Sequence, residues 1–133
     1  ARHEFLRLAD ADAEAYSALN TIQKLPPTDE TRQSKLPGAI DAAIAVPVRC
    51  LKLASDMATL MIELIPITNT YLKSDLAISS ILADAAARAS LCNVRINLPL
   101  LDDAGKRLSM ESQCAAMAKH AADLAAKTVA ACT

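Results

Sequence analysis

The stretch that decides the fold is Asn69–Leu98, which reads NTYLKSDLAISSILADAAARASLCNVRINL. It is almost wholly apolar, it is much too long for a strand, and Pro99 follows it directly. A continuous apolar run of this length that ends at a proline predicts a buried helix. We expect that helix to begin at about residue 71 or 74 and to end at about residue 98.

The charges inside this helix form one narrow stripe. Asp84 and Arg88 are four residues apart, and Arg95 lies seven residues beyond Arg88. Residues at these spacings share a helix face. We therefore expect this stripe to meet solvent or a partner chain and the rest of the helix to be packed. Because three neighbouring helices give little cover for so apolar a helix, we also predict a homo-oligomer, a dimer or higher.

The segments on either side are helical as well. Residues 2–23 carry apolar side chains at spacings of three and four, and Leu25-Pro26-Pro27 ends that pattern. Residues 29–66 form a second segment, which we expect to be broken near Pro37-Gly38 and kinked at Pro47. Pro47 has no N–H, so the carbonyl of Ala43 loses its helical partner.

The last predicted helix begins at Ser109, a residue type that caps helices, with Glu111 near the positive end of the helix dipole. Residues 100–108 would then form a turn. The whole chain of 133 residues is 53% hydrophobic with only 2% aromatic residues and two glycines, a composition that favours close-packed helices. We predict one domain over residues 1–133, an all-α antiparallel helical bundle.

Several classes of function are disfavoured. A net charge of −1 with mixed signs and three scattered aromatic residues predict neither a nucleic-acid partner nor a membrane partner. The four cysteines are far apart and, with the two histidines, form no metal-ligand spacing, so we expect no metal site. Cysteines used in this way are typical of a reduced intracellular protein, and we expect a cytoplasmic location.

Asp75 is the first candidate for chemistry. It follows Ser74 at the expected start of the long helix. In the simpler interpretation Ser74 caps the helix and Asp75 sits at the positive end of the helix dipole. In the functional interpretation Asp75 is a general acid or base.

Two further sets of polar residues lie on apolar faces. Asp12 falls within the apolar stripe of the first helix, with Tyr16 one turn later, so it either hydrogen-bonds within the bundle or serves a site. Asn93 and Asn97 share a face with Asp75 but lie about 27 Å from it along the helix axis. They are either structural polar groups, the interpretation that we prefer, or part of a site completed by another subunit or a long ligand.

Five segments resemble the cyclodeaminase/cyclohydrolase family of folate metabolism, which includes the C-terminal part of formimidoyltransferase-cyclodeaminase and methenyltetrahydrofolate cyclohydrolase. The sequence Leu8–Tyr16 is similar to the family's L-x-D-x-D-A-x-A-[YF] segment, and Lys24-Leu25-Pro26 to its K-L-P exit. The other three are Ala45-Val46-Pro47-Val48, the segment from Asn69 to Ser74-Asp75, and Asn93-Val94-Arg95-Ile96-Asn97, similar to x-V-P-L, N-x-x-x-x-S-D and N-V-x-I-N.

The resemblance implies an all-α enzyme that assembles at least as a dimer and needs no cofactor beyond its tetrahydrofolate substrate. A cyclodeaminase converts 5-formimidoyltetrahydrofolate to 5,10-methenyltetrahydrofolate and ammonia, and a cyclohydrolase hydrolyses the methenyl bridge to 10-formyltetrahydrofolate. Asp75 would be the catalytic residue, oriented by Ser74 and Asn69. Asp12, Tyr16 and Lys24 would line the substrate pocket, and Asn93 and Asn97 are the remaining candidates for substrate binding.

The chain also departs from the family pattern. Family members carry an upstream segment with a Pro-Gly-Gly-Gly motif and two further helices, and Thr68 stands where a glycine usually precedes the asparagine. Relative to the family, we therefore expect an N-terminally incomplete domain. The alternatives are a non-catalytic, oligomeric helical-bundle scaffold related to this family, and an unrelated alanine-rich bundle.

Overall fold

The computed structural model describes residues 1–133, and four long helices account for most of them. They are α1 (Arg2–Gln23), α2 (Glu30–Leu64), α3 (Lys73–Asn97) and α4 (Ala104–Cys132), joined by 3₁₀ turns at Ile65–Ile67, Thr70–Leu72 and Leu98–Leu100. There is no strand. The predicted all-α helical bundle is confirmed, as are the bounds of the first and third helices to within a few residues.

The α1–α2 corner is built by two local devices. The side chain of Asp29 caps α2, because its Oδ1 accepts from the backbone N–H of Thr31 at 2.8 Å and of Arg32 at 3.1 Å. Arg32 in turn donates to the carbonyl oxygens of Gln23 and Leu25 at 3.0 and 2.6 Å. These bonds hold the start of α2 against the end of α1 and satisfy carbonyls that have no helical partner. The ion pair between Arg49 and Glu4 at 2.8 Å joins a later part of α2 to the start of α1, so the two helices are antiparallel.

The break expected near Pro37-Gly38 is wrong, because α2 is continuous from Glu30 to Leu64. Pro37, Gly38 and Gln33 are all exposed. The carbonyl of Gln33, which loses its partner to Pro37, therefore lies on the outside of the bundle, where water can replace the missing bond. Pro47 is also inside α2, but its ring is buried.

The start expected for the last helix is also wrong. The helix begins at Ala104, five residues before Ser109, because the carboxylate of Asp103 caps it by accepting from the backbone N–H of Lys106 at 2.9 Å. Ser109 instead lies inside α4, where its hydroxyl accepts from the side chain of Gln113. Residues 104–108 are thus helical rather than part of a turn.

The core lies where α2, α3 and α4 meet, and α1 covers α2 from outside. Helices that present alanines to each other can approach closely, and this interface is made largely of them. The fully or nearly fully buried alanines of the core are Ala43, Ala54, Ala58, Ala83, Ala87, Ala118 and Ala121. Leu51, Val94 and Ile44 fill the remaining space.

The exposed face of α3 differs from the predicted stripe of charges. Asp84 is half-buried and pairs with Arg88 at 2.9 Å, whereas Ile78, Leu82 and Ile96 are 55%, 64% and 76% exposed. One side of α3 is therefore largely apolar and accessible. We call it the α3 face, and its seven residues are Ile78, Ile81, Leu82, Ala85, Ala89, Cys92 and Ile96. The expectation that only the charged stripe would be accessible is therefore wrong, because the three other helices cover only part of α3.

No helix in the structure combines the length and the apolar character that a membrane span requires.

Candidate functional site

Asp12, Tyr16, Asn93 and Asn97 converge on one cavity, although α1 and α3 carry them far apart in the sequence. The cavity has a volume of about 220 Å³ and is also lined by Leu19, Ala43 and Ile96. The helix period explains the pairing, because Asp12 and Tyr16 are one turn apart on α1 and Asn93 and Asn97 are one turn apart on α3. The structure thus brings together four of the eight residues proposed for the site.

Asp12 is the carboxylate of this cavity. It is half-buried and accepts no hydrogen bond from Tyr16 or from any arginine, so the internal hydrogen bond considered for it is absent. The negative charge of Asp12 acts on the thiol of Cys50 on α2. Burial raises the pKa of the Cys50 thiol, and the negative charge of Asp12 raises that pKa further. The thiol beside this carboxylate is therefore held in its neutral form, which makes it a poor nucleophile.

Asn97 has a structural role as well as a place in the cavity wall. Its amide nitrogen donates to the carbonyl oxygen of Ala43 on α2 at 3.0 Å and to that of Asn93 at 3.2 Å. The Ala43 carbonyl is the one that loses its helical partner to Pro47. The sequence revealed this unpaired carbonyl, but only the packing of α3 against α2 identified the side chain that satisfies it.

Asp75 and its neighbours lie at the opposite end of α3. Asp75 and Ser74 are exposed in the first turn, and neither side chain makes a hydrogen bond within the chain. The helix begins at Lys73 with Leu72 at the capping position, so the interpretation of Ser74 as the cap is wrong. Asn69 instead uses its Oδ1 to accept from the backbone N–H of Tyr71 at 3.0 Å, which caps the preceding 3₁₀ turn.

Lys24 also lies outside the cavity. It is the exposed residue that follows α1, and its ammonium group makes no ion pair. Tyr16 is eight residues earlier, about 12 Å along the helix axis. Within one chain, Lys24, Asn69, Ser74 and Asp75 are therefore not assembled with the four residues of the cavity.

A larger groove lies elsewhere, between α1 and the start of α2. It encloses about 740 Å³ and is open to solvent along its length, with Glu14, Ser17, Thr21 and Lys35 among its lining residues. It contains none of the eight residues proposed for the site. The smaller cavity between α1 and α3 is lined by four of them.

The fold and the site define a small all-α helical bundle with a polar cavity between α1 and α3. The family model described as formiminotransferase-cyclodeaminase matches residues 1–116, and the chain belongs to that family. The match covers all five segments on which the resemblance was based, and it supports a folate-related, cyclodeaminase-type domain. No curated protein matches the chain significantly.

Proposed function

We propose that this chain is part of a folate one-carbon enzyme, either a 5-formimidoyltetrahydrofolate cyclodeaminase or a 5,10-methenyltetrahydrofolate cyclohydrolase. The observation that carries the proposal is the cavity in which Asp12 and Tyr16 of α1 face Asn93 and Asn97 of α3, in a chain of the formiminotransferase-cyclodeaminase family. A carboxylate, a phenol and two amides supply the acceptors and donors that a polar heterocycle such as the folate ring requires.

Both reactions need proton transfer at the nitrogens that flank the one-carbon bridge. Each passes through a tetrahedral carbon between N5 and N10, and breakdown of that intermediate requires protonation of the departing nitrogen. A carboxyl group within hydrogen-bonding reach can carry the proton. We assign this catalytic role to Asp75, as the family resemblance implies, and substrate binding to Asp12, Tyr16, Asn93 and Asn97. Ser74 and Asn69 would contribute beside Asp75, and Lys24 would contribute from the end of α1, at the opposite end of the bundle.

The two halves of this proposed site must come from different subunits. Asp75 lies about 27 Å from Asn93 along α3, too far for both to contact one reacting centre. The cavity volume of about 220 Å³ is also below the roughly 300–1,000 Å³ of ordinary small-molecule pockets. We therefore propose a homodimer, in which a second copy adds the missing wall of the pocket.

The α3 face supports such a dimer. It is apolar, and the small side chains of Ala85 and Ala89 lie at its middle, where two helices could approach closely. If two copies of α3 pack antiparallel with their two-fold axis near Ala85, Asp75 of the partner subunit lies level with the turn between Asn93 and Asn97. Ile96 belongs both to the α3 face and to the cavity wall, so the proposed interface and the proposed pocket are continuous.

The alternative is a non-catalytic assembly module. The accessible apolar α3 face favours it, because that face serves oligomerisation whether or not a substrate binds. This alternative predicts the same dimer without folate chemistry.

The deciding experiment is an absorbance assay for 5,10-methenyltetrahydrofolate with the purified protein. We expect the chromophore to appear from 5-formimidoyltetrahydrofolate if the chain is a cyclodeaminase, and its loss to accelerate if the chain is a cyclohydrolase. A protein that dimerises but changes neither signal would refute the enzyme and leave the assembly module.

A further inference from the structure

The side chain of Asn97 is held in a single orientation by two carbonyl groups. Its amide nitrogen donates one hydrogen bond to the carbonyl oxygen of Ala43 and another to that of Asn93. An amide has two N–H donors, and here both are used. Because both partners are acceptors, only the nitrogen can face them, so the assignment of nitrogen and oxygen in this amide is not ambiguous.

The acceptor on Ala43 exists because of Pro47. In an uninterrupted helix the N–H of residue 47 would bond to the carbonyl of residue 43. Proline has no N–H, and both Ala43 and Pro47 are buried, so this carbonyl needs a partner from elsewhere in the protein. Asn97, 54 residues away in the sequence, is that partner.

The same amide forms part of the cavity wall. With both N–H groups occupied, Oδ1 is the only polar atom of the side chain left to serve a ligand, and it makes no hydrogen bond within the chain. If a helical N–H occupied the Ala43 carbonyl instead, the amide would keep only its bond to Asn93 and could rotate to offer either its donor or its acceptor. The proline thus selects which of the two the cavity presents.

We propose that Pro47 is a positioning residue for this site: acting through the carbonyl of Ala43, it holds the Asn97 amide so that Oδ1 accepts a hydrogen bond from an N–H group of the bound folate ring. The inference rests on the proposed function for its ligand, and on the two hydrogen bonds of Asn97 for its mechanism. It makes Pro47 of α2 a determinant of which hydrogen-bonding group the pocket recognises.

Pro37 provides a matched control. It is the other proline inside α2, but it is exposed, and no side chain donates to the carbonyl of Gln33 that it leaves free. Replacing Pro37 by alanine therefore restores a helical hydrogen bond without changing the cavity, whereas the same replacement at Pro47 gives the Ala43 carbonyl a new partner and releases Asn97.

The mechanism is tested first without any ligand, by a double-mutant cycle on the unfolding equilibrium. In the wild-type background we expect Asn97→Ala to raise the unfolding constant about 5- to 30-fold, because it orphans a buried carbonyl. In the Pro47→Ala background the same change should cost much less, because the N–H of residue 47 now satisfies that carbonyl. Equal costs in the two backgrounds would overturn the inference, whatever the protein binds.

The positioning role is tested by calorimetric binding of 5-formyltetrahydrofolate, a stable folate, to the intact chain. We expect Pro47→Ala and Asn97→Ala each to weaken binding about 2- to 10-fold, the double variant to be no weaker than either, and Pro37→Ala to bind as the wild type does. Wild-type affinity in Pro47→Ala would overturn the positioning role. If the wild type binds no folate while the unfolding cycle still shows coupling, the proposed function fails and the positioning role fails with it.

Discussion

The proposed site uses two carboxylates, Asp12 and Asp75, and their environments differ. Asp12 is half-buried in a cavity beside two amides, whereas Asp75 is exposed at the start of a helix. In one subunit, therefore, Asp75 is the carboxylate to which water has access and Asp12 is the one inside a pocket.

We expect Asp75→Asn to abolish turnover of the formimidoyl or methenyl substrate while helix content and oligomer size stay unchanged. The amide keeps the size of the side chain but cannot take up or release the proton. The measurement is the absorbance assay, with circular dichroism and light scattering as controls. A matched variant is Asp56→Asn, which removes an exposed carboxylate from α2 outside both proposed halves of the site and should retain activity. Near-normal turnover of Asp75→Asn would remove this residue from the mechanism.

The cysteines allow a prediction about pH. Burial, followed by the charge of Asp12, raises the pKa of Cys50 above its ordinary value of 9.0, and burial raises that of Cys114. A thiol whose pKa is higher in the folded state favours folding at low pH, and this contribution is lost as the pH rises through that folded-state pKa. We therefore expect the free energy of unfolding to fall above about pH 9 and Cys50→Ala to reduce that fall.

Alkylation of the folded protein by iodoacetamide checks the same assignment at the level of reactivity. Cys50 is only partly accessible and Cys114 is buried, so both should react much more slowly in the folded protein than in the urea-unfolded chain. Rapid modification of Cys50 at neutral pH would contradict both its burial and the direction of its pKa shift.

At the level of helices, capping decided a boundary that periodicity could not. Asp103 and Ser109 are both residue types that cap helices, and the sequence offers a reason to choose either. In the structure the carboxylate of Asp103 accepts a hydrogen bond from the backbone N–H of Lys106, and Arg107 donates one to the carbonyl of Leu101. Helix α4 therefore begins earlier than the apolar pattern indicates.

We expect Asp103→Ala to lower the free energy of unfolding by about 1 kcal/mol, the usual cost of losing a cap. Ser109→Ala removes only a hydroxyl inside an exposed part of α4 and should change stability by a few tenths of a kcal/mol. Urea titrations of the two variants give the comparison. A larger loss for Ser109→Ala would show that α4 begins where the sequence pattern placed it.

At the level of the whole molecule, the bundle leaves one side of its most apolar helix accessible. The α3 face carries Ile78, Leu82 and Ile96 at more than half exposure, although α2 and α4 both pack on the other side of α3. Burying such a face is worth about 25 cal/mol per Å² of apolar area. The proposed dimer would use this free energy and complete the pocket.

We expect Leu82→Glu to convert the proposed dimer to a monomer, because it would bury an unpaired charge near the middle of the interface. Leu108→Glu is the matched control, since Leu108 is equally apolar and 73% exposed but lies on α4, outside the α3 face. Light scattering coupled to gel filtration measures both masses. A wild-type chain that is monomeric, or a Leu82→Glu variant that keeps the wild-type mass, would refute the interface.

Much of this protein could be predicted from its sequence, because helix period and proline are local properties. They predicted the all-α class, the ends of α1 and α3, and the carbonyl of Ala43, four residues before Pro47, that lacks a helical partner. The family resemblance, carried by five short segments, was confirmed by the match over residues 1–116.

Only the tertiary structure decided which distant residues meet. The way α1 packs on α2, and α2 and α4 pack on α3, decides three features of the protein. Asp12 and Tyr16 meet Asn93 and Asn97 at one cavity, Asn97 satisfies the carbonyl of Ala43, and the accessible side of α3 is apolar. The continuity of α2 through Pro37 depends on the same packing, because it decides which proline faces water and which faces the core. Local sequence sets what a helix needs, but the packed bundle sets which neighbour meets that need, since a side-chain contact depends on the relative placement of whole helices.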